Sequence, residues 1–395
     1  MVEANNRPVW AEIDLSAVRH NVALLAARVA PAALCAVVKA DGYGHGAVPV
    51  ARAAIDAGAA GLAVALVDEG TELREAAVQA PVLVLSEPPL EAMDAAVAAG
   101  LTVTISSPAG AAALAGAARR AGTQARVHVK VDTGMHRAGV APATVGDVVA
   151  TVEGERALRL EGVWTHLAVA DRNGAEDDAF TAAQLERFER SVAGLHSRPT
   201  VLHAANSAAA LRFAAARFDM VRCGIAVYGL APSAAMRDAG DEAAQTLGAL
   251  RPALSLRAKV SAVRELDAGA RPSYGRLRPM PNPGVVATVP LGYADGARRA
   301  LFTGGGEVLV GGRRRPLAGM ISMDQLVIDC GRDAGVAAGD EVVLLGRQGD
   351  EEIRVGEWAA RTGTIDYEVV CGIGPRVPRI HVNSTADGRR DTRRP

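Results

Sequence analysis

CAVVKADGYGHG, residues 35–46, sets a lysine at the point where a short apolar run ends and a glycine-rich loop begins. The residues Cys35–Val38 are apolar and end in two β-branched side chains, the mark of a buried strand. Lys39 thus stands at a strand exit, ahead of a flexible loop in which Gly42, Gly44 and Gly46 alternate with Tyr43 and His45. Taken alone, such a lysine most simply snorkels from a strand end. The rest of the chain has to decide.

The same beat recurs downstream. After the amphipathic stretch LSAVRHNVALLAARV come eight apolar runs: LCAVV, GLAVAL, PVLVLS, LTVTIS, RVHVKV, LEGVWTH, TVLHAAN and MVRCGIAVYG, ending near residue 230. Helical segments such as VDEGTELREAAV and DDAFTAAQLERFERSVAGLH separate them. Alternating strand and helix means parallel strands joined by crossovers. Eight repeats fit a closed (β/α)8 TIM-type barrel or a doubly wound open sheet. A linker rich in Pro, Gly and Ala follows at 235–250. Beyond it the pattern changes to short alternating strands, LSLRAKVSAV, VVATVPL, EVLVGG, DQLVIDC, DEVVLLG and VPRIHV, with only RVGEWAART helical in character. The expectation is an α/β barrel over residues 8–240, a mostly β C-terminal domain over 246–382, and a disordered basic tail over 383–395.

Composition narrows the function. The 395 residues are 49% hydrophobic and 22% charged with a net charge of −1, which gives no reason to expect nucleic acid or a membrane surface as partner. MVEANNRPVW has no apolar signal core, and the apolar stretches reach about half the length of a spanning helix. Cys35, Cys223, Cys330 and Cys371 form no CxxC pair, so reduced cytoplasmic thiols are expected, with no metal site.

The candidate residues fall at corresponding places. Lys39 follows the first run and Arg137 the fifth, His166 closes the sixth, Asn206 and Ser207 close the seventh, and Arg222 and Gly224 lie in the eighth. Barrel enzymes build their sites on this rim, which favours the barrel over the open sheet. Each residue has an ordinary explanation: a core histidine, a local Arg137–Asp132 ion pair, a helix cap at NSAA, loop packing for Tyr43. All of those would have to hold at once on the same rim. HAANSAAAL starts a helix and VRCGIAVYG offers backbone N–H groups at a glycine, which together suit a phosphate. A nucleophilic lysine beside a phosphate cradle points to pyridoxal phosphate or to a phosphosugar aldolase.

The run AVVKADGYGHG resembles the cofactor-lysine signature of alanine racemases. HVKVDTGMHRAG, THLA, NSAA, VRCGIAVYG, SYG, PLGYADG, MISMDQ and GTIDYEV follow in the family's order, and the resemblance covers about residues 8–382. It implies racemisation of L- and D-alanine by two-base Cα proton transfer on a pyridoxal phosphate aldimine, supplying D-alanine for peptidoglycan. By resemblance, Lys39 carries the cofactor and is one catalytic base, and Tyr274 is the other. Tyr43, Ser207, the backbone at Gly224 and Ile225, and Tyr367 would bind the phosphate, with Asn206 beside them. Arg222 would face the pyridine nitrogen, leaving it unprotonated, and His166 would link Arg222 to Tyr274. Arg137 and the backbone of Met323 would hold the substrate carboxylate, while Tyr293, Asp324 and Tyr367 line the approach. Lys130 occupies the position of a lysine that is carbamylated in some members. Tyr228 is read as packing. The resemblance further implies a homodimer in which Tyr274, Met323 and Asp324 act across the interface.

The chain departs from the family's commoner sequence at RLRPMP and MISMDQ, which bears on substrate breadth and not on the reaction. Two rivals fit less well. A homeostatic pyridoxal-phosphate-binding barrel has no β domain. A decarboxylase or aldolase on the same plan needs an acid opposite the pyridine nitrogen, where VRCGI supplies Arg222.

Overall fold

The structure is a computed structural model and describes residues 7–196, 198–332 and 335–384. The chain forms two compact units: Ala17–Arg251, and a second unit that joins the segment ending at Ser16 to the chain from Pro252 onward.

The first strand, β1 (Val9–Asp14), belongs to the second unit. The first unit holds β2 (Ala33–Val37), β3 (Gly61–Val64), β4 (Val82–Val84) and β5 (Thr102–Ile105). It continues with β6 (Ala125–Lys130), β7 (Leu158–Trp164), β8 (Val201–His203) and β9 (Met220–Cys223). These eight strands run parallel in the order β8-β7-β6-β5-β4-β3-β2-β9. The two end strands meet through Asp219 N–H to Leu202 O and Arg222 N–H to Ala205 O, both 3.0 Å, and the sheet closes into the expected barrel. Strands β3, β4 and β5 are buried at every residue. That is why they read as unbroken apolar runs: helices cover one face and the barrel interior the other.

The second unit contains β10 (Leu254–Lys259), β11 (Ala262–Leu266), β12 (Gly284–Val289), β13 (Glu307–Val310) and β14 (Arg313–Pro316). It ends with β15 (Leu326–Gly331), β16 (Glu341–Gln348), β17 (Glu351–Ile353) and β18 (Arg379–Val382). One sheet has the order β14-β13-β16-β10-β1-β18 with β17 on β16, and a second has the order β11-β12-β15. Met280, Val286 and Ala318 form an apolar cluster in this unit.

The structure departs from the sequence expectation in four places. Residues 8–16 were expected in the barrel, yet β1 lies antiparallel to β10 and parallel to β18. Its Val9, Ala11 and Ile13 are buried while the intervening residues are not, the alternation of a sheet with one wet face. The linker expected at 235–250 is largely helical: Asp241 caps Glu242–Ala249 by accepting Ala244 N–H at 2.8 Å. RVGEWAART is not the only helix of the β unit, because Asp366–Cys371, which carries Tyr367, is another. The tail expected from 383 begins with Asn383 bound, its Nδ2 donating 2.9 Å to Asp14 Oδ1; from 385 on it lies outside the described residues.

Candidate active site

Lys39 follows β2 and leads into a turn, not a slack loop. Ala40, Asp41, Gly42 and Tyr43 all take left-handed conformations, with φ between 51° and 59°. For a residue with a Cβ this costs roughly 1–2 kcal/mol. Asp41 Oδ1 accepts Ala47 N–H at 2.8 Å, Gly42 N–H donates to Val38 O at 2.9 Å, and Gly46 N–H donates to Asp41 O at 2.9 Å. Tyr228, expected as packing, is fully buried beneath the turn; its hydroxyl donates 2.9 Å to Val37 O, and its ring lies 4.9 Å from that of Tyr43.

The turn delivers the buried Tyr43 to Gly224. A Cβ on Gly224 would lie 2.4 Å from the Tyr43 hydroxyl, so only glycine leaves that approach open. Gly224 N–H donates 2.9 Å to Ser207 Oγ. Ser207 is the first residue of the helix Ser207–Arg212, whose N-cap Asn206 accepts Ala209 N–H at 3.0 Å. Ile225 follows Gly224 and opens a short 3-10 turn. Two hydroxyls and the backbone N–H groups of two turn starts therefore meet in one cradle, the donor set that suits a phosphate.

Arg222 is buried on β9 and held by four hydrogen bonds from its two terminal nitrogens. Its NH2 donates to Thr165 O and Ala204 O, both 2.9 Å, and to His166 Nδ1 at 3.2 Å; its NH1 donates to His203 Nδ1 at 2.7 Å. Burial lowers its pKa to about 10, so it stays charged at neutral pH. A guanidinium only donates, so both Nδ1 atoms must be bare and both imidazoles carry their proton on Nε2. Burial first, and then Arg222, holds His166 and His203 well below the ordinary histidine range. His203 Nε2 in turn contacts His128 Nδ1 at 2.8 Å. His128, whose pKa burial and Arg222 push down to about 3, is neutral as well.

The Trp164 ring carries the Arg222 guanidinium at 4.5 Å and Lys130 Nζ at 4.6 Å. Burial, then Arg137 and Arg222, lowers the pKa of Lys130 to about 8, with Lys39 adding to the effect and Asp132 opposing it. Asp132 does not form the ion pair with Arg137 that an ordinary reading offers. Its Oδ1 accepts three backbone N–H groups, from Gly134, Met135 and His136, each at 3.0 Å. Those bonds lower its pKa against the opposing effect of burial and shape the loop that presents the exposed Arg137. Lys39, Lys130, Arg137 and Arg222 are thus four coupled cations, an arrangement that calls for anionic ligands.

In the β unit, backbone bonds gather the remaining candidates. Tyr274 bridges to Met320, and Ser273 Oγ donates to Met320 O. Tyr293 N–H donates to Ser322 O and Ala294 N–H to Met323 O, both at 3.0 Å. Asp324 pairs with Arg376 at 2.7 Å. Within this chain Tyr274 is 70% exposed and Met323 53%.

The N-terminal domain model of alanine racemase matches residues 13–232, and the C-terminal domain model matches residues 253–381. The chain belongs to the alanine racemase family. It is 45% identical to the alanine racemase of Symbiobacterium thermophilum over 96% of this chain and 98% of that protein. The crystal structure of alanine racemase from D-cycloserine-producing Streptomyces lavendulae matches with a TM-score of 0.87 at 42% identity, covering 97% and 99% of the two chains. The family fold extends further: a histidine racemase from Leuconostoc mesenteroides matches with a TM-score of 0.85 at 30% identity over 95% and 98%.

Several residues of the site escape a reading of the sequence. His128 and His203 lie inside the apolar runs RVHVKV and TVLHAAN, where a polar residue that can titrate is itself a signal. Asp295 of PLGYADG is buried and accepts from Arg7 through both oxygens, and Arg376 joins it to Asp324. No local pattern announces that pairing, since 288 residues separate Arg7 from Asp295.

Proposed function

We propose that the chain is a pyridoxal 5'-phosphate-dependent alanine racemase, an isomerase of L- and D-alanine that supplies D-alanine for peptidoglycan. The observation that carries this reading is the joining of Lys39 to the Tyr43–Ser207–Gly224 cradle by one left-handed turn. The cradle fits the cofactor's phosphate, because a Cβ at Gly224 would fill it and its donors are hydroxyl and N–H groups. Tyr43, Ser207 on the helix that Asn206 caps, Gly224 and Ile225 would hold the phosphate with Tyr367; Lys39 would hold the cofactor covalently, and Arg222, steadied by Thr165 O, Ala204 O and His203, would face its ring nitrogen. When bound, the cofactor withdraws electron density from the substrate and makes the Cα proton removable.

The protein's own groups supply the rest. Racemisation needs a proton taken on one face of Cα and returned on the other, so two bases must flank it. Lys39 Nζ serves one face and the Tyr274 oxygen the other. His166 is neutral, with its Nδ1 occupied by Arg222, so its Nε2–H is available to donate to the Tyr274 oxygen and favour the phenolate. Arg137 and the Met323 backbone N–H would hold the substrate carboxylate. Tyr293 and Asp324 would narrow the approach, with Asp324 held by Arg376.

We also propose a cytoplasmic homodimer with shared sites. The exposure of Tyr274 and Met323 on the β unit supports it, since groups meant for chemistry are then offered to another surface. Among the described residues no disulfide joins Cys35, Cys223, Cys330 or Cys371, which fits a reducing compartment. No helix among the described residues is long and apolar enough to cross a membrane.

The test is direct. Purified protein given pyridoxal phosphate should bring L-alanine and D-alanine to the same optical rotation. Histidine belongs in the same assay, because the fold also serves a histidine racemase. Turnover of histidine without alanine would replace the substrate assignment, and turnover of neither would end the reading.

A further inference from the structure

The peptide that aims Lys39 is held from outside the cofactor site. Ala40, the next residue, opens the left-handed turn, and its N–H donates 2.6 Å to Oε1 of Glu69. Oε2 of the same carboxylate accepts Ala65 N–H at 2.7 Å and Leu66 N–H at 3.1 Å, from the two residues that leave β3. Glu69 itself lies in the first turn of the helix Val67–Glu75. One side chain therefore ties the exit of β3 to the exit of β2, beyond the point where their ladder from Cys35 to Val37 stops. On its far side the turn is held separately by Asp41 and Ala47.

A strained left-handed segment persists only where its surroundings over-determine it. The Ala40 N–H is the far end of the Lys39–Ala40 peptide, so a bond there fixes the rotation that swings the Lys39 stem. Hydrogen bonds to a carboxylate are among the strong ones, and this carboxylate takes three.

We infer that Glu69 is a positioning residue for Lys39, clamping the left-handed turn so that the lysine meets the phosphate cradle at the correct angle. The inference rests on the reading of Lys39 as the cofactor-bearing lysine. Glu69 touches neither substrate nor cofactor in this role.

The experiment compares wild type with Glu69→Gln and Glu69→Ala, using the exposed neighbour Asp68→Asn as control. Glutamine keeps the shape but has one accepting oxygen, which can serve Ala65 and Leu66 or Ala40 but not both sets. Hydrogen exchange over residues 38–46 in the cofactor-free chain should quicken in Glu69→Gln and not in Asp68→Asn. Covalent attachment of added pyridoxal phosphate to Lys39, fixed with borohydride and counted by mass, should slow roughly tenfold to a hundredfold, the range for losing a hydrogen bond to a charged group. In the loaded enzyme kcat should fall while KM for alanine stays within about twofold, because Arg137 and not Lys39 holds the carboxylate. If Glu69→Ala fails to fold, Glu69→Gln decides alone. Exchange and attachment rates equal to wild type in Glu69→Gln would overturn the inference. If wild type itself takes up no pyridoxal phosphate, the functional reading falls, and the exchange result still decides whether Glu69 holds the turn.

Discussion

His128 Nδ1 lies 2.8 Å from His203 Nε2, with both rings buried between strands of the barrel. Because Arg222 occupies the other nitrogen of His203, the proton between the two rings belongs to His203, and His128 carries its own on Nε2. The guanidinium thus fixes the tautomer of a ring it does not touch.

That chain makes stability depend on pH with a definite sign. In the unfolded chain a histidine titrates at 6.5, while in the barrel His128 is pushed down to about 3. Below pH 6.5 the unfolded state takes up a proton that the folded state refuses. The stabilisation is therefore complete above pH 6.5 and is lost as pH falls from 6.5 toward 3. His128→Gln keeps an oxygen to accept from His203 but cannot titrate. Urea unfolding between pH 6.5 and pH 5 should show a slope of stability against pH smaller by about one proton in this variant. An unchanged slope would mean that His128 is not held neutral.

Gly224→Ala tests the phosphate cradle. A methyl added there would approach the Tyr43 hydroxyl to 2.4 Å. Overpacking of this kind costs about 1–3 kcal/mol, so pyridoxal phosphate affinity should fall about tenfold or more. Absorbance titration of the cofactor-free protein reads the change. Wild-type affinity in the variant would remove Tyr43 and Gly224 from the phosphate site.

The barrel was legible because strands such as β3, β4 and β5 are buried on both faces and leave apolar runs, and because Lys39, His166 and Arg222 mark the same end of those runs. β1 was less legible: VWAEID pairs with β10 and β18, which lie far along the chain. The left-handed turn could not be read at all. Gly42 permits it and Asp41 tolerates it, but Ala40 and Tyr43 disfavour that conformation, which hydrogen bonds to Glu69, Ala47 and Val38 hold in place. The same holds for the link from Arg7 to Asp295, where charge is visible in the sequence but partnership is not.

Lys130 offers a third prediction. With its amine lowered to about 8, a neutral fraction is present at physiological pH, and a neutral amine can add to carbon dioxide, releasing a proton and leaving a carbamate. No ion pair among the described residues satisfies Lys130, whereas its charged neighbours Arg137 and Arg222 favour an anion there. In ¹³C-bicarbonate a carbamate resonance should grow as pH rises through about 8 and be absent from Lys130→Arg. Lys130→Ala should raise KM for alanine more than it lowers kcat, since the loss acts through Arg137. No resonance at any pH would leave Lys130 a plain lysine.

The last prediction concerns the origin of Tyr274. In the proposed dimer each site takes Lys39 from one chain and Tyr274 from the other. Lys39→Ala and Tyr274→Phe each remove one base, so either homodimer is expected to be inactive. In a mixed dimer the two lesions fall together in one site, and the other site is left with an intact Lys39 and an intact Tyr274. Random pairing makes half of the dimers mixed, so co-expression or joint refolding should return about a quarter of wild-type activity. If instead each chain built its own site, every site would keep one lesion and activity would not return. Mass spectrometry must confirm that mixed dimers formed, and mixed dimers without activity would refute the shared site.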